Sequence, residues 1–161
     1  MKDFIKAGDL IPEITEKLKP AKKLTSQVKK AHHDPEAQFV KEFRTAAIKC
    51  NMIVCPIPDP KGNYDWQNYR PFDFVLVTKD NVFCIEAKVE HNNLLSHQKG
   101  TAEAIENLNP MAYWIIRKRH TEKKGTLYSI EKFRDGKKEV IMESGLCEHL
   151  VKHFEMVKVW G

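Results

Sequence analysis

A chain of 161 residues, 42% hydrophobic and 30% charged, can build one domain with a packed core and is too apolar to be disordered. Its 27 Lys and Arg against 22 Asp and Glu leave a net charge of +5, which favours a polyanionic partner. No apolar run approaches the roughly 20 residues of a membrane span. The opening MKDFIKAGDL lacks the apolar core of a signal peptide, so a cytoplasmic location without membrane contact is expected.

Residues 1–33 read as a basic N-terminal arm. Lys17, Lys19, Lys22, Lys23, Lys29 and Lys30 follow one another without an acid, and Pro20 interrupts them. A short helix around Ile11–Leu18 fits the pattern; the arm is either a phosphate-neutralising segment or a solvated tail. The folded domain is expected over 34–161. Asp34 as N-cap and Pro35 as first helical residue start a helix over 35–50, with Phe39, Phe43, Ala46 and Cys50 on its apolar face. MIVCPI, 52–57, reads as a buried strand. The Pro, Gly, Asn and Asp content of 58–71 marks a loop, and Tyr64, Trp66 and Tyr69 in it either stack on bases or anchor a contact.

Two strands follow, 72–77 and 82–89, joined by Thr-Lys-Asp-Asn as an antiparallel hairpin. A second helix is expected over 96–109 with Ser96 as N-cap, then a strand over 111–117. After the basic string RKRHTEKKGT come a strand at 126–131, a turn at Asp135-Gly136, a strand at 140–142 and a helix at 144–154. The fold class is α/β, a mixed central β-sheet flanked by helices. Cys50, Cys55, Cys84 and Cys147 form no C-x-x-C pair, so they are expected reduced and buried as small hydrophobes.

The informative feature is charge inside apolar strands. Asp73 interrupts PFDFVLV, and Glu86 and Lys88 interrupt VFCIEAKV. Strand side chains alternate, so Glu86 and Lys88 share a face. A turn centred between Lys79 and Asp80 sets Asp73 opposite Glu86. Centred on Asp80, it sets Asp73 opposite Ala87 on the wrong face; half a residue later, opposite Lys88. The four-residue loop favours the first, giving a carboxylate pair with a lysine beside it. The other face then carries Phe72, Phe74, Leu76, Phe83, Ile85 and Ala87. Two adjacent buried carboxylates repel, and a divalent cation removes the cost. Carboxylates, a carbonyl such as that of Ala87, and waters are what Mg²⁺ selects. An ordinary salt-bridge cluster on a sheet face is the alternative.

P-F-D followed by E-A-K resembles the PD-(D/E)xK nuclease superfamily, with its restriction-endonuclease-like core of helix, strand, loop, hairpin and helix. From Glu36 to Arg117 the chain is similar to Holliday-junction resolvases of the RecU type, and more loosely to the Hjc type. Glu36 stands three residues before Phe39, VCPIPDP ends the first strand, Phe72-Asp73-Phe74 and Glu86-Ala87-Lys88 follow, and His97-Gln98 opens the next helix. The loop at 58–71 is short where RecU-type enzymes carry a long stalk. The resemblance implies Mg²⁺, with Mn²⁺ as a substitute, held by Glu36, Asp73, Glu86 and Ala87. It implies water activation by Lys88 and support from Gln98. Glu42, on the same helix, is the other candidate for the helix carboxylate.

Among the remaining residues, Cys147, His149 and His153 lack a fourth zinc ligand, and no P-loop or nucleophile elbow occurs. Arg117, Lys118, Arg119, Lys123 and Lys124, with Lys132, Arg134, Lys137 and Lys138, read as phosphate-backbone contacts. The expected function is a Mg²⁺-dependent, structure-selective DNA endonuclease, bacterial or phage-encoded, that resolves four-way junctions as a homodimer. The alternatives are another PD-(D/E)xK nuclease of restriction or repair type, or a non-catalytic DNA-binding protein of that fold.

Overall fold

The computed structural model describes residues 34–58 and 70–157. The basic arm and the aromatic loop residues Tyr64, Trp66 and Tyr69 lie outside the described residues. Helix α1 (Pro35–Lys49) begins directly after Asp34. Proline is tolerated there because the first-turn N–H has no intrahelical partner, and Glu36 complements the positive helix end. The helix ends where Asn51 adopts a left-handed conformation, φ 57°. Asn51 N–H then reaches Ile48 O (3.1 Å) and Met52 N–H reaches Ala47 O (3.0 Å), a Schellman closure that turns the chain into the sheet.

Six strands lie in sequence order across one sheet: β1 (Ile53–Pro56), β2 (Phe74–Val77), β3 (Val82–Val89), β4 (Tyr113–Thr121), β5 (Gly125–Arg134) and β6 (Lys137–Ser144). All neighbours are antiparallel except β3 and β4, which are parallel. A parallel pair needs a long crossover, and α2 (Ser96–Leu108) supplies it. Helix α3 (Cys147–Met156) closes the described chain. This is the expected α/β architecture, a mixed sheet with helices on both faces.

The two faces differ in chemistry. Against α1 and α3 the sheet presents Phe74, Leu76, Phe83, Ile85, Trp114 and Ile130, meeting Phe39, Phe43, Leu150 and Phe154. Phe154 packs edge-on to Trp114 at 5.7 Å between ring centres. Each such side chain fully withdrawn from water contributes about 1.5–3 kcal/mol before chain entropy is counted. Against α2 the apolar cluster shrinks to Ala102, Tyr113, Ile115 and Phe133. Partly buried Phe72, Cys84, Leu94 and Ile105 pack around it, and buried Glu86, Lys88, Arg117 and Glu131 share that face.

Several expectations change in detail. Ser96 is the first helical residue rather than the cap; Leu95 holds the cap position, and the Gln98 side chain accepts its N–H at 2.9 Å. Cys55 is exposed, and Cys50 and Cys84 are half-buried; Cys147 alone is buried. Strand β4 runs on through Arg117–Thr121, a stretch whose charge reads as loop, because Arg117 finds Glu131 on the neighbouring β5 and Lys118 finds Glu42 on α1. β5 and β6 are longer than their apolar segments, joined by a turn with Asp135 and Gly136 at φ 51° and 71°.

Candidate active site

The Thr78–Asn81 turn closes with Thr78 N–H to Asn81 O (2.8 Å) and Asn81 N–H to Thr78 Oγ1 (3.0 Å). It sets the register Val77 to Val82 through Phe74 to Ile85, the one that carries Asp73 toward Glu86. β2 stops at Phe74, while β3 continues to Val89. Asp73 bends out of the ladder, its N–H going to Ile85 O (3.0 Å). The Ala87 N–H, left without a backbone acceptor from β2, donates instead to Asp73 Oδ2 (2.7 Å). The same bend corrects one expectation: Phe72 does not join the Phe74 face but packs on the Ala102–Tyr113 cluster across the sheet.

Asp73, Glu86 and Lys88 are only 8%, 1% and 5% exposed. Lys88 Nζ lies 2.8 Å from Glu86 Oε1. Gln98 Nε2 donates to the same oxygen at 2.6 Å. Since Gln98 Oε1 is also tied to Leu95 N–H, that side chain is fixed at both ends and holds Glu86 from the first turn of α2. Arg70 pairs with Asp73 Oδ1. Burial first and then the Asp73 charge push the Glu86 carboxyl up, Lys88 and then Arg70 pull it back, and the balance leaves it at about 7.

This donor set fits a divalent cation. Burial and the Asp73 charge oppose ionisation of Glu86, and a hard cation held by Asp73 and Glu86 would relieve that opposition. Mg²⁺ is commonly held by one or two carboxylates while keeping waters and substrate oxygens. Ala87 acts on the site through its N–H, by aiming Asp73.

The structure does not bring every expected residue together. Among the described residues no three His, Cys, Asp or Glu side chains come together as a metal-binding group, so Glu36 is not part of the Asp73–Glu86 pair. It stands in the first turn of α1, with Asn92 Nδ2 at 3.5 Å from its Oε1. Glu42 lies on the opposite face, bonded to Lys118 Nζ (2.6 Å) and to the Tyr128 hydroxyl, which excludes it as the third carboxylate. His149 Nδ1 meets Ser144 Oγ (2.6 Å) while His153 sits edge-on to Trp114, so the two histidines serve separate contacts.

The basic string is also largely consumed within the fold. Arg117 grips Glu131 (Nε to Oε1 2.8 Å) and donates to Glu90 O and Asn92 O. Arg119 pairs with Glu143, and fully buried Lys132 pairs with Glu106. These are structural partners, a correction to reading the whole string as phosphate contacts. Lys123, Lys124, Lys137 and Lys138 remain exposed. Arg70 is the residue that sequence reasoning passed over; its signal was an arginine three residues before Asp73, in R-P-F-D.

Comparison of the chain with protein-family models, curated proteins and solved structures returned no match. No helix among the described residues is long and apolar enough to cross a membrane.

Proposed function

We propose that the protein is a divalent-metal-dependent endonuclease whose site is Asp73, Glu86 and Lys88, acting as a homodimer on four-way DNA junctions. One observation carries the reading: two buried carboxylates lie close enough for one charge to raise the other, with a lysine 2.8 Å from one of them, and burial and the second charge hold Glu86 near 7. A purely structural ion pair gains nothing from a second buried carboxylate whose charge raises the first.

Asp73 and Glu86 would hold Mg²⁺, with Mn²⁺ as a substitute. When bound, such a cation supplies an acidified water and neutralises charge on the phosphodiester. The chain's own groups do the rest. Lys88 orients the attacking water and stabilises negative charge growing on the phosphoryl oxygens. Gln98 fixes the Glu86 rotamer, and the Ala87 N–H fixes Asp73. Arg70 neutralises Asp73 and is placed to turn toward an incoming phosphate. Junction selectivity rests on the resemblance in the motif set from Glu36 through Gln98. A four-way junction is close to two-fold symmetric, and a C2 dimer supplies two sites in matching orientation.

The test is cleavage of matched four-way, three-way, flap and linear DNAs with Mg²⁺ or Mn²⁺. Metal-dependent cutting, fastest on the four-way substrate and lost in Asp73→Asn, is expected. Binding without cutting on every substrate would overturn the nuclease reading in favour of a DNA-binding protein. Equal rates on linear and four-way DNA, or a monomer at assay concentration, would overturn only the resolvase reading. On an extruded cruciform, wild type should give linear product, and a heterodimer with one Glu86→Gln subunit nicked circles.

A further inference from the structure

Beside the carboxylate pair, on the same face of the sheet, lies a cavity of about 240 Å³ lined by Asn93, Lys99, Ile115, Arg117 and Lys138 among others. Its floor comes from β4: Ile115 is the register partner of Glu86, and Arg117 of Lys88. Adjacent strands are about 4.8 Å apart, so the cavity stands one strand from the proposed reaction centre.

Its charge is one-sided. Lys99, Arg117 and Lys138 line it and no carboxylate does. Glu131, bound to the Arg117 guanidinium at Nε and Nη2, is 2% exposed. Lys138 Nζ stands 4.0 Å from the same carboxylate, which draws this exposed side chain over the cavity. With Arg117 matched to Glu131, the surplus positive charge belongs to Lys99 and Lys138, two exposed ammonium groups at the rim. Asn93 adds a neutral amide to the same wall.

We infer that this cavity is a phosphate-binding subsite. The same chemistry would accept a phosphate of a nucleic-acid strand or of a small phosphorylated molecule. The one-strand offset from Lys88 matches the scale of the step between successive phosphates, so a strand being cut at Asp73–Glu86 would seat a flanking phosphate here. That assignment to a strand rests on the nuclease reading; the anion site itself does not.

The experiment uses the full chain without divalent metal, so binding is read apart from cutting. Lys99→Gln/Lys138→Gln is compared with Lys123→Gln/Lys124→Gln, an equal charge change on the exposed turn between β4 and β5. The first pair should weaken binding of duplex and branched DNA about tenfold beyond the control and flatten the log–log salt slope by about 0.9, the loss of one phosphate contact. Titration of wild type with inorganic phosphate should shift the amide resonances of Asn93, Gly136 and Lys138, and the variant should lose those shifts. Lost phosphate shifts with unchanged DNA affinity would assign the site to a small phosphorylated ligand. Equal effects of both pairs on DNA, with no phosphate shifts in wild type, would overturn the subsite. Failure of the wild type to cut any DNA once metal is restored would overturn the nuclease reading alone.

Discussion

Two buried ion pairs sit side by side on the α2 face, Glu86–Lys88 on β3 and Arg117–Glu131 across β4 and β5. In the second, the guanidinium meets both carboxylate oxygens, Ser129 Oγ adds a bond to Glu131, and two backbone carbonyls take further Arg117 protons. Its charges are matched and its donors used. In the first, one lysine faces Glu86 while a second carboxylate, Asp73, crowds it, and the carboxyl is pushed up to about 7. Burial is similar in the two pairs. The difference is a second buried carboxylate that raises the first, its counter-ion Arg70 one-third exposed at the rim; a structural pair avoids that arrangement and a cation-binding site uses it.

The comparison breaks most visibly in activity. Lys88→Ala and Asp73→Asn should each lower DNA cutting by about 10²–10⁴-fold while the folded fraction and metal-free DNA binding hold, as measured by rate, circular dichroism and anisotropy. Wild-type cutting rates in either variant would remove the proposed site. At the other pair the consequences should reverse. Glu131→Ala strands a buried guanidinium that cannot lose its charge and should cost about 3–5 kcal/mol in urea unfolding, whereas Lys88→Ala leaves a Glu86 carboxyl that can take up a proton and should cost less. Equal destabilisation by the two variants would mean that both pairs are structural.

The pair that holds the fold was the harder one to read from sequence. Asp73, Glu86 and Lys88 were legible because the partners are local: a four-residue turn sets the register, and alternation sets the face. Arg117 was read as a phosphate contact because its partner, Glu131, lies across a second hairpin, and nothing in RKRH or IEKF signals that pairing. Lys132 and Glu106 were missed for the same reason. Phe72 was set on the wrong face because alternation assumes an unbroken strand, and the chain bends at Asp73. Helices α1 and α2 were legible in period and boundary, since a proline start and apolar spacing are properties of the segment alone.

The titration of Glu86 sharpens the contrast. In the unfolded chain an ordinary glutamate releases its proton near 4.5; in the fold it does so near 7. Between those values the folded state holds a proton that the unfolded state has lost, so stability falls as pH rises through the window and levels off above it. The total is on the order of 3 kcal/mol, at about 1.4 kcal/mol per pH unit. In chelator, the wild type should therefore lose stability relative to Glu86→Gln as pH climbs from 4.5 to 7. Parallel pH curves for the two proteins would show that Glu86 is ionised normally in the fold.

The smallest effect belongs to Gln98, which touches the pair without carrying charge. Its Nε2 donates to Glu86 Oε1 at 2.6 Å while its Oε1 is held by the Leu95 N–H at 2.9 Å, so it transmits the start of α2 to the carboxylate. Loss of such an outer contact commonly costs 10–100-fold in metal affinity or activity. Gln98→Ala should lower cutting about tenfold at limiting Mg²⁺, with most of the loss recovered at saturating Mg²⁺, because positioning of Glu86 weakens while the reacting groups remain. Gln98→Glu adds a third carboxyl beside the pair and should move the Mg²⁺ midpoint the opposite way, toward lower concentration. A merely structural Gln98 would lower the melting temperature in both variants and leave both midpoints where they are. Opposed shifts with similar melting temperatures would instead tie the first turn of α2 to the charge held between Asp73 and Glu86.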